Sequence, residues 1–196
     1  MEGKAKFMID NVLAASLACY LQGFGIEDIS NSLRTFIPSA QLTPGRLNIF
    51  NFKNFKVLID FAHNPAGYEA IEDYLKNVES TKKIGIISGV GDRRDEDITL
   101  CGQIAGRMFD YIIIRNEKHL RGRKEEEING LIIDGIQKAG RDVSYEIIPK
   151  EIEALKHAMS MAEEGTFITA LSDVISNAID LVQDYQAREL LEDGKI

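Results

Sequence analysis

From residue 56 onward, short runs dense in β-branched and other apolar residues alternate with longer stretches of helical periodicity, and this alternation limits the fold more than any other feature. The runs cover 56–61, 83–90, 111–115, 144–148 and 166–171, and the helical stretches cover 65–78, 95–109, 124–139, 149–163 and 174–191. Strands that are apolar almost throughout have no solvated face. Both faces must then be covered, which interleaved helices achieve when the strands run parallel. An α/β fold is expected, a mostly parallel sheet with helices on both faces. A further apolar run at 47–52 joins the next through Lys53-Asn54, which is too short for a crossover and predicts an antiparallel hairpin at the sheet edge.

The grammar differs before residue 43. There Val12, Leu13, Leu17, Tyr20 and Leu21, then Ile26, Ile29, Leu33 and Phe36, fall at helical spacing on either side of Gly23 and Gly25. Two helices alone make a poor core. Thr43-Pro44-Gly45 has the composition of a turn, so the chain divides into a small helical part, 1–43, and an α/β part, 44–196.

At 196 residues the chain buries a core without staples. Cys19 and Cys101 lie in apolar helical contexts without metal-ligand spacing and read as buried free thiols. No apolar run approaches the roughly 18 residues of a membrane span, and residues 1–6 do not open a signal peptide, so a cytoplasmic protein is expected. The net charge is −8, and residues 146–196 hold 11 acids against 4 bases. That distribution argues against nucleic acid and anionic membranes as partners.

In a parallel sheet, ligands gather beyond the carboxyl ends of the strands. Three such ends carry chemistry. Asp60 closes an apolar strand, where an unpaired carboxylate costs several kcal/mol, so it caps a loop, pairs with a base or meets a ligand. His63 follows, then Asn64-Pro65, the signature of an N-cap and first helical position, which turns backbone N–H groups toward the strand end. The second end is Ser88-Gly-Val-Gly-Asp-Arg-Arg-Asp95, where Arg93 and Arg94 either grip an anion or pair with Asp92, Asp95 or Asp97. The third is the basic loop 115–124, with Arg121-Gly-Arg123-Lys124, either an anion site or a solvated charge cluster. There is no G-x-x-x-x-G-K-[ST] phosphate loop, no Ser-His-Asp pattern and no H-E-x-x-H.

Four segments together, Thr35-Phe-Ile-Pro-Ser39, Thr43-Pro-Gly-Arg46-Leu-Asn48, Asp60-Phe-Ala-His-Asn-Pro-Ala-Gly-Tyr68 and Gly91-Asp-Arg-Arg-Asp-Glu-Asp97, resemble the Mur ligase family. Their wording is most similar to its cyanophycin synthetase branch. The resemblance covers essentially the whole chain. It implies that 1–43 is the helical end of a central ATPase domain and that 44–196 is the Rossmann-like C-terminal ligase domain. It implies an ATP-dependent carboxylate–amine ligase that forms an acyl phosphate and then an amide. In that branch arginine is added to the side-chain carboxylates of polyaspartate, giving cyanophycin. Magnesium and ATP are the implied cofactors, and both need the central domain, which would also be this chain's partner. Self-association into a homo-oligomer is implied as well.

Position by position, the resemblance assigns Asn11 to the adenine, with Asp10 where the family usually has histidine. It assigns Arg46 to the nucleotide, Asp60 to the ribose hydroxyls, and His63 and Asn64 to the turn beside it. Asp92, Arg93 and Arg94 fall at the amino-acid site, and Arg121 and Arg123 fall near the loop that selects the amino acid. Were arginine the substrate, its guanidinium would need acids, and Glu117 and Asp173 are the candidates. No residue here is expected to be catalytic by itself, no metal ligand is assigned, and the chain alone should be inactive. The alternatives are another Mur-type ligase, acting on peptidoglycan precursors or folates, or a non-catalytic small-ligand or interaction module.

Overall fold

The computed structural model describes residues 5–192 and 194. Two helices come first, α1 (Lys6–Leu21) and α2 (Ile26–Thr35), and the hairpin β1 (Asn48–Asn51) and β2 (Phe55–Asp60) follows. Strict alternation then runs through α3 (Pro65–Lys76), β3 (Lys82–Ile87), α4 (Asp95–Met108), β4 (Tyr111–Ile114) and α5 (Glu125–Gln137). It continues through β5 (Ser144–Ile147), α6 (Glu151–Ser160), β6 (Thr166–Leu171) and α7 (Ile175–Glu192). The six strands form one sheet in the order β1-β2-β6-β3-β4-β5. Only β1 runs antiparallel to its neighbour.

Period-two alternation sends neighbouring residues of each strand into different cores. Leu58, Ile112 and Ile114 pack under α3, α4 and α5, with Tyr68, Ile71, Ile104 and Ile132. Val57, Ile59, Ile84, Ile86 and Ile113 pack under α6 and α7, with Leu155, Ala158, Ile179 and Val182. Helices therefore cover both faces, as the apolar strands require. The chain steps from β2 to β5 along one face and leaves a place that β6 later fills from the other. The direction of winding reverses around β2, β6 and β3, which opens a crevice at their carboxyl ends.

Two sequence expectations are corrected. The run 83–90 leaves the sheet at Ile87, so Ser88, Gly89 and Val90 belong to the crevice rim. Cys19 is exposed, whereas Cys101 is buried as expected. The reason is that α1 buries none of its residues; Ile9, Leu13, Leu17 and Leu21 all face outward among the described residues. Burial pushes the Cys101 thiol up to about 12, which keeps it protonated.

Helices α4 and α5 touch backbone to backbone, and glycines permit it. A Cβ on Gly135 would lie 2.0 Å from the Thr99 carbonyl oxygen, and one on Gly102 would lie 2.3 Å from that of Ile132. Gly135→Ala is expected to force the pair apart at a cost of about 2 kcal/mol despite alanine's better helix propensity. Urea unfolding measures it, and an unchanged midpoint would show that the helices slide freely.

Candidate functional site

Two clefts lie side by side along the carboxyl rim, divided by Phe61, Ala62 and His63, which line both. The larger, about 560 Å³, is built from α1, the turn before β1, the end of β2 and the first turns of α3. Asn11, Arg46, Asp60, His63 and Asn64 all line it. The smaller, about 180 Å³, lies between the loops that follow β2, β3, β4 and β6. Asp92, Arg93, Glu117, Arg121 and Asp173 line that one.

In the larger cleft the backbone sets the shape. Asn64 is the N-cap of α3, its Oδ1 accepting the Gly67 N–H at 2.8 Å, and Pro65 opens the helix. The positive end of α3 therefore faces the cleft. Asp60 turns its carboxylate back on the chain: Oδ2 accepts the Leu47 N–H at 2.8 Å and Oδ1 accepts the Ala62 N–H at 2.8 Å. Burial pushes its carboxyl up, and those two N–H groups and the Arg46 charge pull it back down. Of the three readings raised for Asp60, the loop tie is the one observed, and the residue also borders the cleft. Arg46 places its guanidinium 5.8 Å from the centre of the Phe61 ring. His63 Nδ1 lies 2.9 Å from the Phe61 carbonyl oxygen, which fixes the ring against the dividing wall.

The floor of the smaller cleft is a buried charge network. Arg115, only 3% exposed in its side chain, donates from Nη2 to the Leu171 carbonyl at 3.0 Å and to Glu117 Oε1 at 3.2 Å. Its Nε lies 3.4 Å from Glu151 Oε2. Ser88 Oγ donates to Glu117 Oε1 at 2.7 Å. Glu151 accepts from the Ser172 hydroxyl and from the Asp173 N–H. Burial, and after it the neighbouring Asp173 carboxylate, raise the Glu117 carboxyl above the ordinary glutamate range, against the pull of Arg115.

Arg94 and Arg123 stand outside both clefts. Arg94 grips Asp97 with two donors, at 3.0 and 2.9 Å. Arg123 bridges Asp95 at 2.6 Å and Glu127 at 3.1 Å, and ties the two loops by donating to the Arg93 carbonyl at 3.1 Å. The same two loops close on each other at Gly91, where a Cβ would lie 2.0 Å from the Leu120 carbonyl oxygen. Arg121 beside them takes a φ of 53°, uncommon for a residue with a side chain, and lines the cleft. Arg115, Glu151, Ser88 and Ser172 went unassigned in the sequence. Among the described residues no group of three or more His, Cys, Asp or Glu side chains is placed to hold a metal ion, and no helix is long and apolar enough to cross a membrane.

Residues 45–174 match the family model described as Mur ligase, glutamate ligase domain. Cyanophycin synthetase of Crocosphaera subtropica is 44% identical over 182 residues, which are 93% of this chain and 21% of that protein. UDP-N-acetylmuramoyl-L-alanyl-D-glutamate–2,6-diaminopimelate ligase of Caldanaerobacter subterraneus is 28% identical over 162 residues, 83% of this chain and 32% of that protein. Among solved structures, E. coli FolC in complex with DHPP and ADP superposes with a TM-score of 0.66 at 19% identity, covering 91% of this chain and 39% of that one. The chain thus spans about a fifth of the length of the cyanophycin synthetase that it matches.

Proposed function

The chain belongs to the Mur ligase family by its glutamate ligase domain, and from that premise we propose that it forms the amino-acid-loading part of an ATP-dependent amide ligase that adds arginine to the side-chain carboxylates of polyaspartate. The observation that carries this reading is the pair of clefts with one shared wall. One is wide enough for part of a nucleotide, the other is sized for an amino acid, and an amine in the second lies next to whatever is activated in the first.

In the larger cleft Asn11 faces the base, Asp60 the ribose hydroxyls and Arg46 the phosphates, while His63 and Asn64 fix the turn between ribose and wall. In the smaller, Arg93 and Arg121 receive the α-carboxylate of the incoming amino acid, and Glu117 and Asp173 receive its cationic side chain. Asp92 balances Arg93 at 4.0 Å. These residues bind and orient, and none of them moves a proton in the bond-forming step. Grip on the γ-phosphate belongs to a central ATPase domain, of which residues 1–43 are the helical end and to which residues 44–196 attach. Magnesium would be held chiefly by the ATP phosphates and the central domain, where it would neutralise charge on the transferred phosphoryl group. Cytoplasmic residence fits such a reaction.

The test is a chimera in which this chain replaces the matching segment of the Crocosphaera subtropica cyanophycin synthetase. It is expected to release phosphate from ATP only when arginine and an aspartyl peptide are both present, and the isolated chain to release none. A folded chimera that uses diaminopimelate or glutamate instead of arginine would move the substrate to the peptidoglycan or folate branch. A folded chimera without any activity, beside an isolated chain that holds a small ligand, would make the chain a binding module.

A further inference from the structure

The loops that follow β3 and β4 supply Arg93 and Arg121 to the smaller cleft, and Arg123 sews them together from outside it. Its guanidinium meets three oxygens: Nη2 donates to the Arg93 carbonyl at 3.1 Å and to Asp95 Oδ1 at 2.6 Å, and Nη1 donates to Glu127 Oε1 at 3.1 Å. Asp95 opens α4 and Glu127 lies in the first turn of α5, so one side chain spans the loop after β3 and the starts of two helices. A guanidinium so engaged has little left to offer a substrate carboxylate. What it can do is fix its neighbours. The Arg123 N–H closes a turn on the Leu120 carbonyl at 3.0 Å, and that carbonyl abuts Gly91 of the other loop, where there is no room for a Cβ. Arg121 and Gly122, inside the turn, take left-handed φ values of 53° and 90°. A residue with a side chain keeps such a conformation only where its surroundings enforce it, and here the closed turn and the anchored Arg123 do so.

We propose that Arg123 is a positioning residue for the amino-acid cleft: it touches no substrate, and it holds Arg93 and Arg121 at the spacing at which both reach one α-carboxylate. The inference rests on the ligase reading and deepens it by naming what sets the geometry of that grip. The bond to the Arg93 carbonyl fixes the backbone from which Arg93 projects, and the turn that Arg123 closes fixes the backbone from which Arg121 projects. Two guanidinium groups on separate loops otherwise drift with those loops, and a misplacement of about 1 Å weakens a shared grip on one carboxylate severely. Lysine is a poor substitute, because one ammonium on a flexible stem cannot reproduce a planar fork that reaches a carbonyl and two carboxylates at once. Glu127 is the dispensable partner: its side chain is 51% exposed, water screens its pairing, and its loss leaves the bond to the Arg93 carbonyl in place.

Hydrogen exchange of the chain itself reads the clamp directly. In Arg123→Gln the Arg93 amide, bonded to the Val90 carbonyl at 3.0 Å, is expected to exchange about tenfold faster, while Ile86 in the middle of β3 is unchanged. In the chimera the same variant should raise the KM for L-arginine about tenfold, with kcat and the KM for ATP within about twofold of the parent. Arg123→Lys should leave that KM at least about threefold above the parent, whereas Glu127→Gln should match the parent. On an Arg121→Gln background, Arg123→Gln should add no more than about twofold, because it acts through a residue already lost. An unchanged Arg93 amide would refute the clamp. Full rescue by lysine, equal losses toward arginine and ATP, or full additivity with Arg121→Gln would reduce Arg123 to a surface tie with no part in the grip. A parent chimera indifferent to arginine would sink the ligase reading and with it the role toward the amino acid, while the exchange result still reports on the clamp, so the two failures are told apart.

Discussion

Arg115→Met is expected to lower the stability of the fold by about 3–5 kcal/mol, because it removes one side of a buried ion network and leaves the other behind. The guanidinium is the positive charge that pairs with both Glu117 and Glu151, and it also satisfies the Leu171 carbonyl at the end of β6. Methionine fills much of the volume but none of that charge. The deficit should depend on pH, and the sign follows from Glu117, whose folded-state carboxyl already lies above its ordinary value of 4.5. A carboxyl raised on folding contributes stability below its unfolded value and loses that contribution as pH rises through its folded value. Without Arg115 it rises further, so the variant's deficit is largest at neutral pH and shrinks toward about pH 4.5. Urea unfolding at several pH values measures both effects. Adding Glu117→Gln to Arg115→Met should restore part of the loss at neutral pH, since the pair is coupled. A single variant as stable as the parent at neutral pH would show the network to be well solvated.

The buried role of Arg115 also marks the limit of what the sequence discloses. Strand and helix alternation was legible, since apolar runs without a polar face fit only a sheet covered on both sides, and the hairpin at residues 47–61 followed from a two-residue link. The order of the strands was not legible. It depends on β6 returning between β2 and β3, pairings across 111 and 84 residues with no local signature. That return brings Leu171 to Arg115, and α6 brings Glu151, so a residue that reads as the first of a solvated basic run becomes the centre of the floor. For the same reason Ser88 looked like strand and Ser172 like linker. The nucleotide-side candidates were easier. Asn64-Pro65 and Asp60 are adjacent in the chain, and local turn chemistry alone carries them to one rim. Arg93 and Arg94 were indistinguishable by sequence, yet only Arg93 reaches the cleft, because Arg94 lies at the start of α4, where Asp97 one turn on captures it.

Asp60 is where scaffold and site are hardest to separate, and two substitutions there divide them. Asp60→Ala leaves the Leu47 and Ala62 N–H groups without their acceptor. Leu47 is buried and already held at a φ of 47°, so that turn has little freedom to find another. An expected loss of about 2–4 kcal/mol follows from two orphaned donors at about 1–3 kcal/mol each. Alanine alone therefore cannot isolate a role toward ATP. Asp60→Asn retains the shape and one acceptor oxygen, and it removes the charge that would receive two ribose hydroxyls. In the chimera it should raise the KM for ATP about tenfold or more with little change in kcat, in line with about 1.4 kcal/mol per decade for a lost charged acceptor. Thermal unfolding of the asparagine variant, run beside the kinetics, fixes a temperature at which it is fully folded. If the KM for ATP is unchanged there, Asp60 serves the turn at Leu47 alone, and the ribose must be held by another group in the larger cleft.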